Sequence, residues 1–330
     1  MPTAIGSFRR LVMTPSLIST TFSARGFPAA SSDQCLRLEA IPQAVVTGFE
    51  WGIDSRDLWE LERRLELVEA EMRGFAYEGA TMALTIVDAI TPGARRRAEQ
   101  LLAGPAVPHT FLTYIGIGFA MSHLPRPLWK GVLPDLTGTP YYPTMSWLAV
   151  DGYGFDLAYF HTDRYVHQQR RPRPYPWHDH ADYFLRAVDQ GIGRALWFIH
   201  GAQPAQVAQA VNRFQPPRRA DLWSGIGLAA AFAGGCDPGR LAALVRKAES
   251  YHPHLAQGAV FAARARTFSG CVPEHTEPAV LAMAGLTVSA ATSLADASTP
   301  RGTRFEEPAY ETWRTNVRNG LSISGNGNQE

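Results

Sequence analysis

Charge is scarce in this chain. Asp, Glu, Lys and Arg make up 18% of its 330 residues, below the quarter usual for globular domains, so much of each secondary element must face protein rather than water. The charge is not one-sided either: thirty-one basic and thirty acidic side chains leave a net +1. That removes the electrostatic reason for a phosphate-backbone partner, and nucleic acid is not expected. Cysteine is almost missing. Cys35, Cys236 and Cys271 are odd in number, widely spaced and form no C-x-x-C pair, which argues against a disulfide framework or a zinc site and fits a reducing cytoplasm. No stretch approaches the roughly 18 apolar residues of a membrane helix, so no membrane span is expected.

Mechanistic motifs are absent as well. The chain has no G-x-x-x-x-G-K-[ST] phosphate loop, no H-E-x-x-H zinc motif and no G-x-S-x-G nucleophile elbow. YIGIGFA and DQGIGRA approach a dinucleotide fingerprint but lack its third glycine and any β-α-β context. His161, His167, His178 and His180 fall close together beside Asp163, Asp179 and Asp182. A mononuclear metal site could be assembled from His161, His167 and a carboxylate, but the surrounding prolines and arginines read as an exposed loop in which histidine is a solvated polar residue. No metal is assigned, and no pattern identifies a cofactor.

What is present is a repeat. Gly79, Gly116, Gly152, Gly191, Gly225 and Gly258 each lead a segment with Ala83, Ala120, Asp156, Ala195, Ala229 or Ala262 four places later, and four of them carry a second glycine two places on. Successive first glycines stand 33 to 39 residues apart, a period that marks a repeat architecture. In the clearest unit GIGLAAAFAGG is followed by Asp237, Pro238 and RLAALVRKAESY. Asp237 suits a helix N-cap and Pro238 the first helical position, while Leu241, Leu244, Val245 and Ala248 form an apolar stripe, so the unit is a helical hairpin. Glycine inside a helix costs about 1 kcal/mol relative to alanine. Six at matching positions need a compensating cause, and close approach of neighbouring helices supplies one.

The expected fold is therefore all-α: a superhelical stack of tetratricopeptide-like hairpins over residues 41–297 with a concave inner face. Ahead of the repeats, Leu58, Leu61, Leu65 and Val68 mark an amphipathic helix after Asp54, with Glu60–Arg64 and Glu69–Arg73 at pairing distance. Ile41 to Phe49 reads equally as helix or strand. Residues 1–40, whose first 32 hold Arg9, Arg10 and Arg25 but no acid, overlap in composition with a transit peptide and are read as an extended arm on the core. Residues 298–330, polar and ending in SISGNGNQE, are read as a disordered tail.

Aligning the six units on their first glycine gives a column. The residue just before it is Glu78, Ile115, Asp151, Gln190, Ser224 or Gln257, polar in five of six and set in apolar stretches. One reading makes these N-caps, which suits Asp and Ser better than Glu and Gln. The other makes them the lining of the concave face, with Arg194 and the aromatics Tyr77, Trp147, Tyr153, Trp197 and Trp223, a mixture suited to a large apolar ligand with few polar handles. Glu78, Asp151, Asp189, Arg194, His123 and His200 are the candidate catalytic residues. Tyr77, Tyr153, Gln190, Trp197, Trp223 and Ser224 are the candidate substrate contacts.

The segments TPSLISTTFSARGFP, GFEWGIDSRDLWELERRL, RGFAYEGATMAL, FLTYIGIGFA, LPRPLWKGVLPDLTGTPYYPTMSWLAVDGYGFD, DQGIGRALWFIHG and RRADLWSGIGLAAAFAGG together resemble the DUF1702 proteins associated with enediyne biosynthesis, over about residues 14–296. The resemblance implies a cytoplasmic accessory protein of an enediyne antibiotic pathway. It would bind or act on the linear polyene, or a derived intermediate, during formation of the enediyne core. The resemblance carries over no catalytic residue. A non-catalytic helical scaffold that binds another pathway protein is the alternative.

Overall fold

Small residues let the helices of this chain touch backbone to backbone. The computed structural model describes residues 20–28, 33–91, 96–301 and 306–326, and no strand occurs among them. Its helices are α1 (Phe22–Arg25), α2 (Asp33–Asp54), α3 (Leu58–Glu66), α4 (Ala70–Ile90), α5 (Arg97–Leu102), α6 (Thr110–His123), α7 (Trp147–Phe160) and α8 (Ala181–Ile199). They continue as α9 (Pro204–Arg213), α10 (Pro216–Ala233), α11 (Pro238–Ala248), α12 (His252–Phe268), α13 (Thr276–Ala284), α14 (Val288–Ala297) and α15 (Ala309–Asn326).

The six repeat glycines lie on α4, α6, α7, α8, α10 and α12, and these helices pack in chain order as one row. A Cβ at Gly116 would overlap the carbonyl oxygen of Glu78; at Gly152, that of Ile115; at Gly191, that of Asp151; at Gly225, that of Gln190; at Gly258, that of Ser224. Each first glycine thus sits against the residue that precedes the first glycine of the helix before it. The second glycines face the other way: Gly118, Gly154, Gly193 and Gly227 lie against the carbonyls of Ala149, Val188, Leu222 and Leu255 on the helix that follows. From α6 to α12 each junction is closed from both sides, while the α4–α6 junction has Gly116 alone; the close approach offsets the helix-propensity cost by bringing two backbones into van der Waals contact.

The row has a seventh member that the repeat spacing did not reveal. Gly79 lies against Val45, and Gly48 lies against Ala76, in the register of a second glycine. Helix α2 therefore opens the row, with Val46 where a first glycine would stand. This settles Ile41 to Phe49 as helix, and it corrects the boundary of the arm, because α2 begins at Asp33; residues 1–19 of that arm lie outside the described residues. The amphipathic helix is shorter than its stripe. It spans Leu58–Glu66 with Asp57 as cap and the Glu60–Arg64 pair at 2.6 Å, whereas Arg73 turns back to the carbonyls of Glu66 and Val68 instead of pairing with Glu69.

Hairpins form in four of the six units. α5, α9, α11 and α13 follow α4, α8, α10 and α12, and α11 starts as its sequence requires, with the Asp237 side chain accepting from the Arg240 amide at 3.0 Å. After α6 and α7 no second α-helix appears, only short turns at Arg126–Gly131, Thr144–Ser146, Asp163–His167 and Trp177–Asp179. Five prolines between Leu124 and Ser146, and three between Arg171 and Trp177, remove amide donors and exclude a continuous helix. Trp129 anchors the first of these loops, its indole N–H donating to the carbonyls of Met121 and Leu124 at the end of α6.

The row curls until its end meets its beginning. Phe232 of α10 packs edge-on against Phe75 of α4 at 5.6 Å, Arg266 of α12 donates to the Glu71 carbonyl at 3.1 Å, and Phe268 meets Phe111 of α6 at 5.8 Å. The stretch read as a disordered tail enters this curl. Helix α15 buries Tyr310, Trp313, Arg314 and Val317, with Trp313 donating to the Ala295 carbonyl at 2.7 Å. Its polar residues are buried because the row supplies partners: Glu311 meets Arg186 at 3.0 Å, Arg314 meets Asp221 at 2.8 Å, and Tyr183 donates to Glu311 at 2.8 Å. Burial alone would raise the Glu311 carboxyl, but the Arg314, Arg186 and Arg318 guanidiniums hold it well below the usual carboxylate range. Among the described residues no single helix is long and apolar enough to cross a membrane.

Gly191→Ala should destabilise the protein by about 3 kcal/mol, since the added methyl must push two backbones apart. Gly131→Ala, where nothing lies within 4 Å of the added carbon, should stay within about 0.5 kcal/mol of the parent. Urea denaturation of the two variants measures both.

Candidate functional site

On a helix, positions −4, −1, +3 and +7 from a given residue share one face. Counted from each first glycine, these positions form the inner face of the curl. The −1 residues are all mid-helix, so none is an N-cap, and the capping reading is set aside. Instead they form a ladder across successive helices. Asp151 accepts from the Gln190 amide at 2.7 Å, Ser224 donates to Gln257 at 2.9 Å and reaches Gln190 at 3.4 Å, and Arg314 of α15 donates to Gln257 at 3.2 Å. Tyr310 of α15 joins the same ladder, its hydroxyl 2.8 Å from the Gln190 amide nitrogen. All of these side chains are buried.

On the side of the row that α15 does not fill, the inner face encloses a cavity of about 360 Å³. Its wall crosses five consecutive row helices, α2, α4, α6, α7 and α8, and seven aromatic rings dominate it: Phe49, Phe75, Phe119, Phe155, Tyr159, Phe160 and Phe198. Phe49, Met82, Phe119, Phe155 and Arg194 occupy the +3 position of their helices, counting Val46 as the first position of α2; His123, Tyr159 and Phe198 occupy +7. The polar lining is sparse. Glu78 and Arg194 stand on the inner wall, while His123, Asp156 and the exposed His161 lie toward the ends of their helices.

These polar groups are set by their neighbours. Arg194 forms an ion pair with Asp151 and lies over the Phe155 ring, its guanidinium carbon 5.1 Å from the centroid. Glu78 is 2% exposed and has no hydrogen-bond partner among the described residues. Burial pushes its carboxyl up to about 8, the Asp151 charge adds to the rise, and Arg194 opposes it, so Glu78 is mainly the neutral acid at pH 7. His123 places Nε2 3.7 Å from Asp156 Oδ2, and that carboxylate raises its pKa against the effect of burial. Asp156 fills the small-residue position of the third repeat unit, where the other five have alanine.

Glu78, Arg194 and His123 thus meet at one cavity, with Asp151 directly behind Arg194. Gln190 and Ser224 belong to the ladder rather than to the cavity wall. The other candidates lie elsewhere. Asp189 is held by Arg218 at 2.6 Å and Arg171 at 3.2 Å. His200 closes the C-terminal end of α8, and burial lowers its pKa to about 4. Tyr77 packs in a separate small cluster with Leu61 and Leu65, and Tyr153 stacks edge-on against Trp129 at 5.0 Å. Trp197 donates to the Gly234 carbonyl at 2.7 Å, Trp223 is fully buried core, and Trp147 packs against Tyr183 at 4.8 Å. Tyr77 and Trp223 stand at −2, Tyr153 at +1, Trp197 at +6 and Trp147 at −5, none of them one of the four inner-face positions. Asp156 and the aromatic +3 and +7 positions are what the alignment on glycine missed, although the same counting contains them. Among the described residues no three His, Cys, Asp or Glu side chains converge as a metal-binding group.

A family model described as "Protein of unknown function (DUF1702)" matches residues 4–321, so the chain belongs to that family. No curated protein and no solved structure matches the chain.

Glu78 makes stability depend on pH. Between its unfolded pKa near 4.5 and its folded value of about 8, the unfolded chain releases this proton while the folded chain keeps it. Its contribution to stability is therefore complete below pH 4.5 and declines as pH rises, by up to about 1.4 kcal/mol per unit. Glu78→Gln should flatten this decline and raise stability at pH 8.5, as read from urea midpoints at pH 5.5, 7 and 8.5.

Proposed function

We propose that this DUF1702 protein receives an elongated, largely hydrocarbon molecule in the cavity and acts on it there. The molecule is the linear polyene of an enediyne pathway, or an intermediate derived from it, during formation of the core. The observation that carries the reading is the lining itself: seven aromatic rings around a space of about 360 Å³, with a neutral carboxylic acid and a guanidinium as its inner polar groups. Cavities of this size with few converging polar groups suit small apolar ligands. Flat aromatic walls match a conjugated chain through offset and edge contacts. The pathway comes from the resemblance of the long sequence segments to enediyne-associated DUF1702 proteins. On this reading the row is a superhelical repeat array whose concave side is the binding wall, and the protein works in the cytoplasm beside the other pathway proteins.

Glu78 and His123 bring proton transfer within the cavity's means. A neutral carboxyl donates a hydrogen bond or a proton, and the His123 imidazole, whose pKa the neighbouring Asp156 raises, takes up or gives back a proton. Neither needs water inside the apolar part of the wall.

Purified protein should enhance the fluorescence of a linear conjugated tetraene on binding. Phe155→Trp, which fills part of the cavity, should weaken that binding at least tenfold. In a producing host, deletion of the gene should abolish core formation, and Glu78→Leu should reproduce the loss while the protein remains folded. Absence of tetraene binding, or core formation that survives the deletion, overturns the proposal. Core formation that survives Phe155→Trp and Glu78→Leu, yet fails when the exposed Arg246 and Lys247 of α11 are both changed to Glu, would make the chain a scaffold.

A further inference from the structure

The polar groups at the cavity differ in whether their hydrogen-bonding capacity is already used. Asp151 accepts from Arg194 on one oxygen and from the Gln190 amide, at 2.7 Å, on the other. Asp156 faces His123 at 3.7 Å. The Tyr159 hydroxyl donates to the Thr20 carbonyl at 2.9 Å. Glu78 is different: it is 2% exposed, lines the cavity, and has no hydrogen-bond partner among the described residues. A buried polar group without a partner is rare in a folded protein and is disfavoured unless something completes it.

Charge gives a second constraint. Arg194 is matched by Asp151, and protonated His123 is matched by Asp156. Among the described residues that line the cavity no cationic charge is left over, so a buried anionic ligand would lack a counterion in that lining.

We propose that the natural ligand of this cavity carries an uncharged acceptor oxygen, a ketone or aldehyde carbonyl, which accepts a hydrogen bond from Glu78. This rests on the reading of the cavity as a site for an apolar chain and narrows the class of that chain. A pure hydrocarbon would leave the Glu78 donor unpaired. A carboxylate would bring an unmatched charge against Asp151 and Asp156. A carbonyl completes the donor and leaves the charge balance untouched. The tendency of burial to keep Glu78 protonated at neutral pH supports the donor role, opposed by Arg194 and reinforced by Asp151. His123, Asp156, Tyr159 and His161 are the other titratable groups on the cavity lining.

The experiment compares three conjugated tetraenes of one chain length, ending in a methyl ketone, a methyl group or a carboxylate, by fluorescence titration against the full chain at pH 7. The ketone should bind about tenfold more tightly than the hydrocarbon, and the carboxylate at least tenfold more weakly than the ketone. Glu78→Leu should abolish the ketone preference, bringing the ketone and the hydrocarbon to equal affinity. Glu78→Gln, which keeps an N–H donor, should retain much of the preference. Raising the pH to 9 should reduce the preference in the parent and leave it unchanged in Glu78→Gln. Equal binding of the ketone and the hydrocarbon, tight binding of the carboxylate, or a ketone preference that survives Glu78→Leu overturns this inference and leaves the apolar-ligand reading standing. If none of the three binds, both fall together.

Discussion

The contact on which the rest of this structure depends is a carbonyl oxygen resting against a glycine. It recurs at every step of the row from α2 to α12, and between α6 and α12 a second glycine on the opposite helix reinforces it. Because no Cβ fits there, successive helices lie closer than side-chain packing allows, and each is locked in register with the one before it. A slip by one residue would drive a side chain into a backbone. The register in turn fixes which positions of each helix share the inner face, so a packing rule in the backbone decides where polar groups meet.

That inner face has two fates along the row. From α8 onward it meets α15, where Tyr310 bonds Gln190 and Arg314 bonds Gln257, Ser224 bonds Gln257, and the Gln257 amide nitrogen is left without a partner among the described residues. Buried polar groups of this kind specify one arrangement when every partner is present and are costly when one is missing. From α2 to α8 no such helix fills the curl among the described residues. The same −1 and +3 positions there bring Glu78, Phe119, Phe155 and Arg194 to an open space. The cavity is the unfilled half of a surface whose other half is occupied by the chain's own C-terminal helix. Asp151 sits at the join, bonded to Gln190 on the filled side and to Arg194 on the open side.

The electrostatics follow from this division. Near α15 the carboxylates Glu311 and Asp221 have arginines within 3.0 Å, and Glu311 stays ionised although buried. In the cavity Glu78 shares the Arg194 guanidinium with Asp151, and desolvation prevails. Two buried carboxylic acids of one fold thereby hold opposite protonation states at neutral pH, because one has dedicated counterions and the other does not.

Several of these features were determined by the sequence alone. The glycine period, the all-α class, the Asp237–Pro238 helix start and the polar column before each glycine are local patterns, and local patterns are set by backbone sterics and hydrogen-bonding chemistry that neighbours in the chain already define. Other features required the tertiary structure. Val46 hid the first row helix, because a glycine repeat cannot be counted where its leading glycine is missing. The polar C-terminal stretch read as disorder because the charges that bury Glu311 and Arg314 lie more than ninety residues away in sequence, on α8 and α10. Tyr77, Trp197 and Asp189 share the chemistry of a binding site but stand on other faces of their helices. Phe119 and Phe155 read as ordinary core until the curl left a space beside them. Whether an apolar position becomes packed interior or cavity wall depends on what the rest of the chain places opposite it, and one-dimensional periodicity does not hold that information.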